Sequence, residues 1–432
     1  MTRDIENTPN TAGPARASLG LVFIIVVIDL LGFAIVLPLL PRYAERFDAS
    51  DLTIGLLFSS FSAMQFLFAP VWGRLSDRIG RRPALLAGLA GSVLFYALFA
   101  VGTLAESLTW LFVSRIGAGI CGATISTAQA YIADATGKHD RAKGMALVGA
   151  AFGVGFTFGP ILGSIALPHT AGTGQPQPLN AMPGFIASGL SLAALLLAFW
   201  KLPESLRPGQ SAPAHAWLNL AALQQAVRAP TIGMLLTLFF LSTFAVAQLE
   251  STLSRLTDAV FGMSDKENFY LFTYLGLSLA IMQGVVVRRL APRVGEPRMI
   301  FMGILLTAVG FEMLSLSSKY ESVAGLIVTI PIAMCGFSFV TPSVQALISR
   351  RSDPARQGEV MGVAQSVTAM ARILGPLVGN LVFGWGGRLV YDMSALLLIP
   401  ALVLAVLSTN TGRDWSAAEE FDTTPAIEEE PG

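Results

Sequence analysis

The sequence has little charge. Asp, Glu, Lys and Arg make up 13% of its 432 residues, and 28 acidic residues balance 28 basic ones. A soluble domain carries about a quarter charged residues, so this chain has too few to cover a surface exposed to water. Without a basic excess there is no electrostatic indication of nucleic-acid binding. The lack of charge therefore predicts an outer surface that faces a lipid bilayer.

Cysteine and histidine are also scarce. Cys121 and Cys335 lie inside apolar segments, and His139, His169 and His215 are scattered without the spacing of metal ligands. Neither a disulfide framework nor a metal site is expected from these positions. No Gly-rich phosphate-binding loop ending in Lys-Ser or Lys-Thr is present, which excludes a self-contained ATP pump. We therefore expect no metal, no cofactor and no enzymatic activity.

Long apolar stretches dominate the rest of the chain. A helix that spans a bilayer needs about 20 mostly apolar residues, and twelve such stretches are bounded by charges, proline or glycine. The sequence thus predicts an all-α integral membrane protein with twelve transmembrane helices in two six-helix bundles. The stretches begin near Gly20, Leu52, Ala84, Leu108, Gly144, Ala181, Thr231, Phe269, Met299, Val323, Gly358 and Tyr391.

Lysine and arginine are concentrated in the loops that follow even-numbered segments. Because cytoplasmic loops carry most of the Lys and Arg, both termini are expected in the cytoplasm of a multi-pass protein of the cytoplasmic membrane. The predicted organisation has five parts. They are a disordered N-terminal tail (1–18), a first six-helix bundle (19–203), a proline-containing cytoplasmic linker (204–230), a second bundle (231–410) and an acidic disordered C-terminal tail (411–432).

An internal repeat relates the two predicted bundles. The segment from Asp140 to Ser164 is echoed by the segment from Ala355 to Asn380, and both contain a Gly-Pro pair. Transporters built from two related bundles bind their substrate between them, near the bilayer midplane. The repeat favours a transporter of a small molecule over a receptor or an enzyme.

Ionisable residues within apolar spans are candidates for transport, because they are costly in lipid. Asp29 lies at the centre of segment one and Arg115 lies in segment four. A carboxyl group shielded from water takes up a proton more readily, so Asp29 is predicted to exchange a proton for solute. Arginine stays charged at ordinary pH, so Arg115 is predicted to hold or tune a carboxylate. A static salt bridge is the alternative for each.

The second predicted bundle has its own candidates. Glu250 in segment seven and Arg372 in segment eleven carry opposite charges on different helices, and are predicted to pair in one transport state. Gln65 and Gln129 either hydrogen-bond to a substrate or bond helix to helix. Glu312 lies nearer the outer end of segment nine, where a structural role is favoured.

The loop after segment two reads GRLSDRIGRRP, from Gly73 to Pro83. It holds more arginine than topology alone requires, and Asp77 is placed to pair with these arginines or to cap a neighbouring helix. Charge-assisted bonds of this kind can close the cytoplasmic side in one state and break in the other. A simple positive-inside anchor is the alternative. The predicted gate residues are Gly73, Asp77, Arg78, Gly80, Arg81 and Arg82.

Segment five combines glycines with a proline. Gly149 shares a helix face with Gly153, Gly159 shares one with Gly163, and Pro160 follows Gly159. Such spacing allows tight helix packing, and the Gly-Pro pair introduces a bend.

These motifs resemble those of the major facilitator superfamily, and in particular the tetracycline-exporter branch of drug:proton antiporters. The resemblance covers nearly all of residues 20–405. It implies that Arg115 takes part in proton translocation and that the segment-five motif, with Gly153, Gly159, Pro160 and Gly163, limits leakage during exchange. The similar segments are Ile28–Pro41, Met64–Pro83, Ser114–Asp134, Gly153–Gly163 and Pro342–Gly362.

Two positions depart from the tetracycline exporters. Aligned on Gly303, Thr307 stands where that branch has a proton-linked aspartate, and Leu279 falls on a histidine of that branch. Both departures argue against tetracycline as the substrate.

The leading hypothesis is proton-coupled efflux of a small amphipathic or cationic compound by alternating access. A metabolite importer or facilitator of the same fold is the alternative, because gradients set the direction of transport. A substrate-sensing receptor would instead bind without flux. Protons, a small-molecule substrate and the bilayer are the expected partners, and no obligate protein partner is implied.

Overall fold

The computed structural model describes residues 12–136, 141–167, 179–206, 230–353 and 357–411. Within these ranges all regular elements are helical. The first eight are α1 (Ala12–Val36), α2 (Leu39–Arg46), α3 (Asp51–Ile79), α4 (Arg81–Leu104), α5 (Leu108–Gly122), α6 (Ile125–Ala135), α7 (Arg141–Ile165) and α8 (Met182–Lys201). The others are α9 (Pro230–Phe261), α10 (Asp265–Ile281), α11 (Arg288–Val294), α12 (Glu296–Lys319), α13 (Val323–Arg351), α14 (Gln357–Phe383) and α15 (Leu389–Thr411).

The helices have the length and composition of membrane spans. Eleven helical stretches in the described part of the chain are long and apolar enough to cross a bilayer. The fifth predicted span corresponds to α7, of which Ala150–Ile165 is a shorter apolar helix. The prediction of an all-α integral membrane fold is therefore confirmed.

At the N-terminus α1 begins at Ala12. The predicted division into tails, bundles and linker stays a prediction. Residues 1–11, most of the predicted linker, the three histidines and the tail beyond Thr411 lie outside the described residues.

In the described part of the chain, three of the candidate spans are interrupted. The first breaks between α1 and α2 at Pro38, which lacks the N–H that a continuous helix needs. The fourth breaks between α5 and α6, where the Thr124 hydroxyl donates to the Cys121 carbonyl at 2.9 Å. The eighth contains a π-helical turn, Met282–Val287, between α10 and α11. Irregular turns inside helices are frequent at functional positions.

The helices form two compact units. Unit one contains residues 1–215 and 263–277, and unit two contains residues 216–262 and 278–432. The start of α10 thus belongs to unit one, whereas the sequence boundary between the bundles placed it in the second. Two contacts within unit one account for this: Arg42 Nε lies 2.9 Å from Asp265 Oδ1, and Gly276 lies against the Phe156 backbone.

Glycines let the paired helices approach closely. A Cβ atom added to Gly159 of α7 would lie 2.6 Å from the Ala34 Cβ and 2.9 Å from the Leu31 carbonyl oxygen, both on α1. Gly155, which was not among the predicted motif residues, also faces α1. Gly163 instead faces the Phe269 ring of α10.

The same contact recurs inside unit two. A Cβ atom on Gly375 of α14 would lie 2.8 Å from the Ala247 Cβ and 2.9 Å from the Phe244 carbonyl oxygen of α9. The two Gly-Pro pairs of the sequence repeat therefore make equivalent contacts, each against the first long helix of its own unit.

Replacing Gly159 by alanine is expected to destabilise the protein by about 1–3 kcal/mol, because the added methyl group overpacks the α1–α7 contact. A loss would be informative because, in the absence of such a contact, replacing glycine by alanine normally stabilises a helix by about 1 kcal/mol. Gly189 of α8 is the matched control, since a Cβ there meets no described atom within 4 Å. Thermal unfolding in detergent should show Gly159→Ala below wild type and Gly189→Ala at or above it. Equal melting temperatures for the two variants would contradict the packing explanation.

Candidate functional site

Arg115 of α5 is buried, with 2% of its surface exposed. Its guanidinium carbon lies 4.5 Å from the centre of the Phe61 ring of α3 and 5.6 Å from that of Phe33 of α1. The two rings are themselves 4.8 Å apart, and Phe156 of α7 contacts Phe33 edge-on at 5.9 Å. Two helices thus contribute aromatic rings that face one permanently charged group, and α7 adds a third ring beside Phe33. The sequence singled out the arginine but not the rings, because contacts between distant helices leave no local signal.

Asp29 of α1 is half-buried, and its carboxyl group hydrogen-bonds with the Ser92 side chain of α4. Among the described residues, its Oδ1 atom has no hydrogen-bond partner. Tyr96 of α4 lies near both Asp29 and Arg115. Within the described part of the chain, however, the acid and the guanidinium form no direct ion pair. The role of Asp29 in proton transfer stays a prediction, and any influence of Arg115 on it acts at a distance.

The two predicted glutamines are in different situations. The Gln65 side chain of α3 donates through Nε2 to the Gly122 carbonyl of α5 at 3.2 Å. This is the helix-to-helix bond that was the alternative to substrate binding. Gln129 of α6 is half-buried, and its role stays a prediction.

Glu250 of α9 and Arg372 of α14 lie together in unit two. Glu250 Oε2 is 3.8 Å from Arg372 Nη1, with side chains 14% and 42% exposed respectively. The two helices are those joined at Gly375, so close packing sets the separation of the two charges. The pairing agrees with the opposite charges noted in the sequence, and its role in transport stays a prediction.

A second buried arginine, in unit two, was not among the predicted site residues. Arg255 donates through Nη1 to Asn380 Oδ1 at 2.9 Å, and its guanidinium lies 4.2 Å from the centre of the Phe383 ring. Asn380 also donates to the Ser251 hydroxyl at 3.3 Å. Arg255 lies near the end of a predicted span, where a basic residue is typical of an interfacial anchor. Hydropathy alone therefore provides no reason to place it inside a packed network.

Arg81 is the centre of the predicted cytoplasmic gate. It is 6% exposed, and Nη1 lies 2.6 Å from Asp77 Oδ1 while Nε lies 3.0 Å from Asp134 Oδ2. Nη1 also donates to the Ser76 hydroxyl at 2.7 Å. Asp134 ends the fourth-helix motif and was not named as a gate residue. One guanidinium therefore joins α3, α4 and α6.

Gly80 and Glu204 form the other half of this cluster. Gly80 has a φ of 103°, a conformation that favours glycine. Glu204, just beyond α8, accepts hydrogen bonds from the backbone N–H groups of Arg81 at 2.9 Å and Arg82 at 3.1 Å. The first N–H groups of a helix have no partner within it and carry partial positive charge, so this carboxylate caps α4. Glu204 was missed because an acid following a helix does not reveal a distant partner.

The remaining gate residues differ among themselves. Arg82 donates through Nη2 to the Phe199 carbonyl of α8 at 2.7 Å, and Arg78 is exposed. A Cβ atom on Gly73 would meet no described atom within 4 Å, and the gate role of Gly73 stays a prediction. No group of three His, Cys, Asp or Glu residues suited to a metal ion occurs in the part of the chain that the structure describes.

Comparison with known proteins identifies the family. The family model described as Major Facilitator Superfamily matches residues 22–376. The class C tetracycline resistance protein of Escherichia coli is 32% identical, covering 87% of this chain and 94% of that protein. Major facilitator superfamily domain-containing protein 10 of Bos taurus is 31% identical, covering 91% of this chain and 94% of that protein.

Among solved structures, the human organic anion transporter MFSD10 (TETRAN) is 28% identical with a TM-score of 0.67, covering 91% of this chain and 99% of that one. The family and the fold are those of membrane transporters, which are not enzymes, as the sequence predicts. The likeness to tetracycline resistance proteins confirms the resemblance drawn from the motifs. The chain is a multi-pass membrane transporter that belongs to the major facilitator superfamily.

Proposed function

We propose that this transporter exports a small amphipathic compound in exchange for protons, with access alternating between the two sides of the membrane. The observation that carries the proposal is Asp29, an acid in the middle of a span whose Oδ1 atom has no hydrogen-bond partner among the described residues. An ionisable group held in this way is costly in a bilayer, and such groups mark ion pathways. The likeness to tetracycline resistance proteins supports export.

The predicted sites take separate roles in this proposal. Asp29 carries the proton, while Glu250 and Arg372 form a pair that opens and closes during the cycle. The Arg81 cluster closes the cytoplasmic side, and the Gly155 and Gly159 contact holds α7 against α1. One proton moving inward releases roughly 2.3 kcal/mol per 100 mV of membrane potential, which is enough to drive export against a gradient.

The relatives leave the charge of the solute open. The bacterial relatives are named for resistance to tetracycline, whereas the human protein of known structure is named as an organic anion transporter. Thr307, at the place of the tetracycline exporters' aspartate, is 1% exposed and donates to the Gly303 carbonyl at 2.9 Å. A buried hydroxyl engaged with its own helix supports a solute other than tetracycline.

Proteoliposomes with an imposed pH step test proton coupling. We expect an inwardly directed proton gradient to accelerate export of a transported compound from an amphipathic panel, and Asp29→Asn to lose this acceleration while still exchanging solute for solute. Asp51→Asn makes the same chemical change in the first turn of α3 and should keep it. Wild-type flux that ignores collapse of the gradient by nigericin would contradict antiport and favour a facilitator.

A further inference from the structure

Four arginines are buried in the described part of the chain, and Arg115 differs from the others in its surroundings. Each of the other three contacts a side-chain oxygen on another residue. These contacts are Arg42 with Asp265, Arg81 with Asp77 and Asp134, and Arg255 with Asn380. Burial alone therefore does not explain why Arg115 contacts two aromatic rings and, among the described residues, bonds to no side-chain oxygen.

Among the described residues, the Nε and Nη1 atoms of Arg115 have no hydrogen-bond partner, and no carboxylate forms an ion pair with it. A guanidinium has five N–H donors in a planar fork and stays charged. The Phe33 and Phe61 rings attract the charge through their faces, but they accept no conventional hydrogen bond. The two rings thus compensate part of the positive charge, but the Nε and Nη1 donors have no acceptor among the described residues.

The fork suits a ligand with two oxygen atoms on one group. Carboxylates and sulfonates accept two parallel N–H bonds from arginine, which is stronger than contact with a single neutral acceptor. The aromatic cluster of Phe33, Phe61 and Phe156 offers an apolar surface for the body of such a ligand. Phe33 keeps part of its surface exposed, as does Gln65.

We propose that Arg115 binds the anionic group of the transported solute, which is a small aromatic or amphipathic monoanion. This inference rests on the proposed function and names the substrate class of the same transporter. In the part of the chain that the structure describes, Asp29 forms no ion pair with Arg115, so the proposed proton carrier and the proposed anion-binding group are different side chains. Anion recognition can therefore be tested without any pH gradient.

Three probes of matched shape distinguish the charge of the solute: 2-naphthoate, the neutral 2-naphthamide and the cation 2-naphthylmethylammonium. Flux of each into proteoliposomes is measured with equal pH on both sides and the membrane potential clamped at zero. We expect wild type to transport the carboxylate about ten- to a hundredfold faster than the amide, the range that hydrogen bonds to a charged group provide. Under these conditions a lack of proton coupling leaves the result unchanged.

Variants assign the preference to Arg115. Arg115→Gln should reduce naphthoate flux to the naphthamide level and leave naphthamide flux unaltered, while Arg115→Lys should keep part of the preference. Arg388→Gln, at an exposed arginine just before α15, is the matched control and should behave as wild type. If Arg115→Gln does not fold, the flux of the three probes through wild type and through Arg115→Lys still tests whether Arg115 binds the anionic group. Preference for the ammonium probe, no flux of naphthoate, or an equal fall for all three probes in the folded variants would overturn the proposal.

Discussion

Replacing Asp265 by asparagine should destabilise the protein by about 3–5 kcal/mol, the usual cost of removing one partner from a buried ion pair. Asp265 is 3% exposed and Arg42 is 6% exposed, with 2.9 Å between Nε and Oδ1. Arg46 adds a more distant contact at 4.0 Å. Asparagine keeps the shape but not the charge, so the Arg42 guanidinium is left in the protein interior with weaker compensation.

Arg42 Nη1 also donates to the Met263 carbonyl at 2.9 Å. This bond remains in the variant, so the loss of stability should lie near the lower end of the range. The free energy of unfolding is measured in mixed micelles with increasing dodecyl sulfate. Glu267→Gln is the control, because it removes one negative charge from the same turn of α10 at an exposed position. Glutamine can still accept the backbone N–H of Ser264 that Glu267 accepts now. Similar losses for both variants would show that net charge, and not the buried pair, is responsible.

Arg81→Gln is expected to lower the transport rate at least tenfold, which corresponds to about 1.4 kcal/mol. The substitution leaves Asp77 and Asp134 facing each other without the cation between them, and it removes the donor to the Ser76 hydroxyl. If the cluster holds one transport state closed, its loss shifts the balance between states by its differential stability. Transport requires passage through both states, so the rate falls.

Arg78→Gln removes the same charge from the same segment at an exposed position and should keep at least half of the wild-type rate, since surface charges contribute little. Adding Asp134→Asn to Arg81→Gln should restore part of the rate by removing the repulsion. Initial rates in proteoliposomes compare the three variants. A positive-inside anchor alone would instead make Arg78→Gln and Arg81→Gln equally damaging.

The positions of the spans could be predicted because apolar length is a local property. The predicted starts near Leu108 and Val323 coincide with α5 and α13. The Gly-Pro pairs were also visible, and their contacts with α1 and α9 follow from the absence of a side chain. The breaks inside spans one and four needed more than hydropathy, because an interrupted helix can have the same composition as a continuous one.

The partners of the charged residues were less accessible to prediction. Opposite charge on two spans suggested Glu250 with Arg372, and the structure brings them to 3.8 Å. By contrast, the sequence does not reveal three other partners. Asp134 contacts Arg81, Glu204 caps α4, and Phe61 lies over Arg115. Each is distant from its partner along the chain and reaches it only when the protein folds. A single sequence records which residues are unusual for a bilayer, but not which neighbours compensate them.

The cap on α4 has a mechanical consequence. Besides α4, the Glu204 carboxylate accepts the backbone N–H groups of Ser205 and Leu206, so one side chain fastens the outgoing polypeptide to another helix. A force applied to the chain at Leu206 is therefore transmitted to α4 as well as to α8. In single-molecule pulling, Glu204→Gln should weaken these hydrogen bonds, so that α8 unfolds at a lower force and without α4.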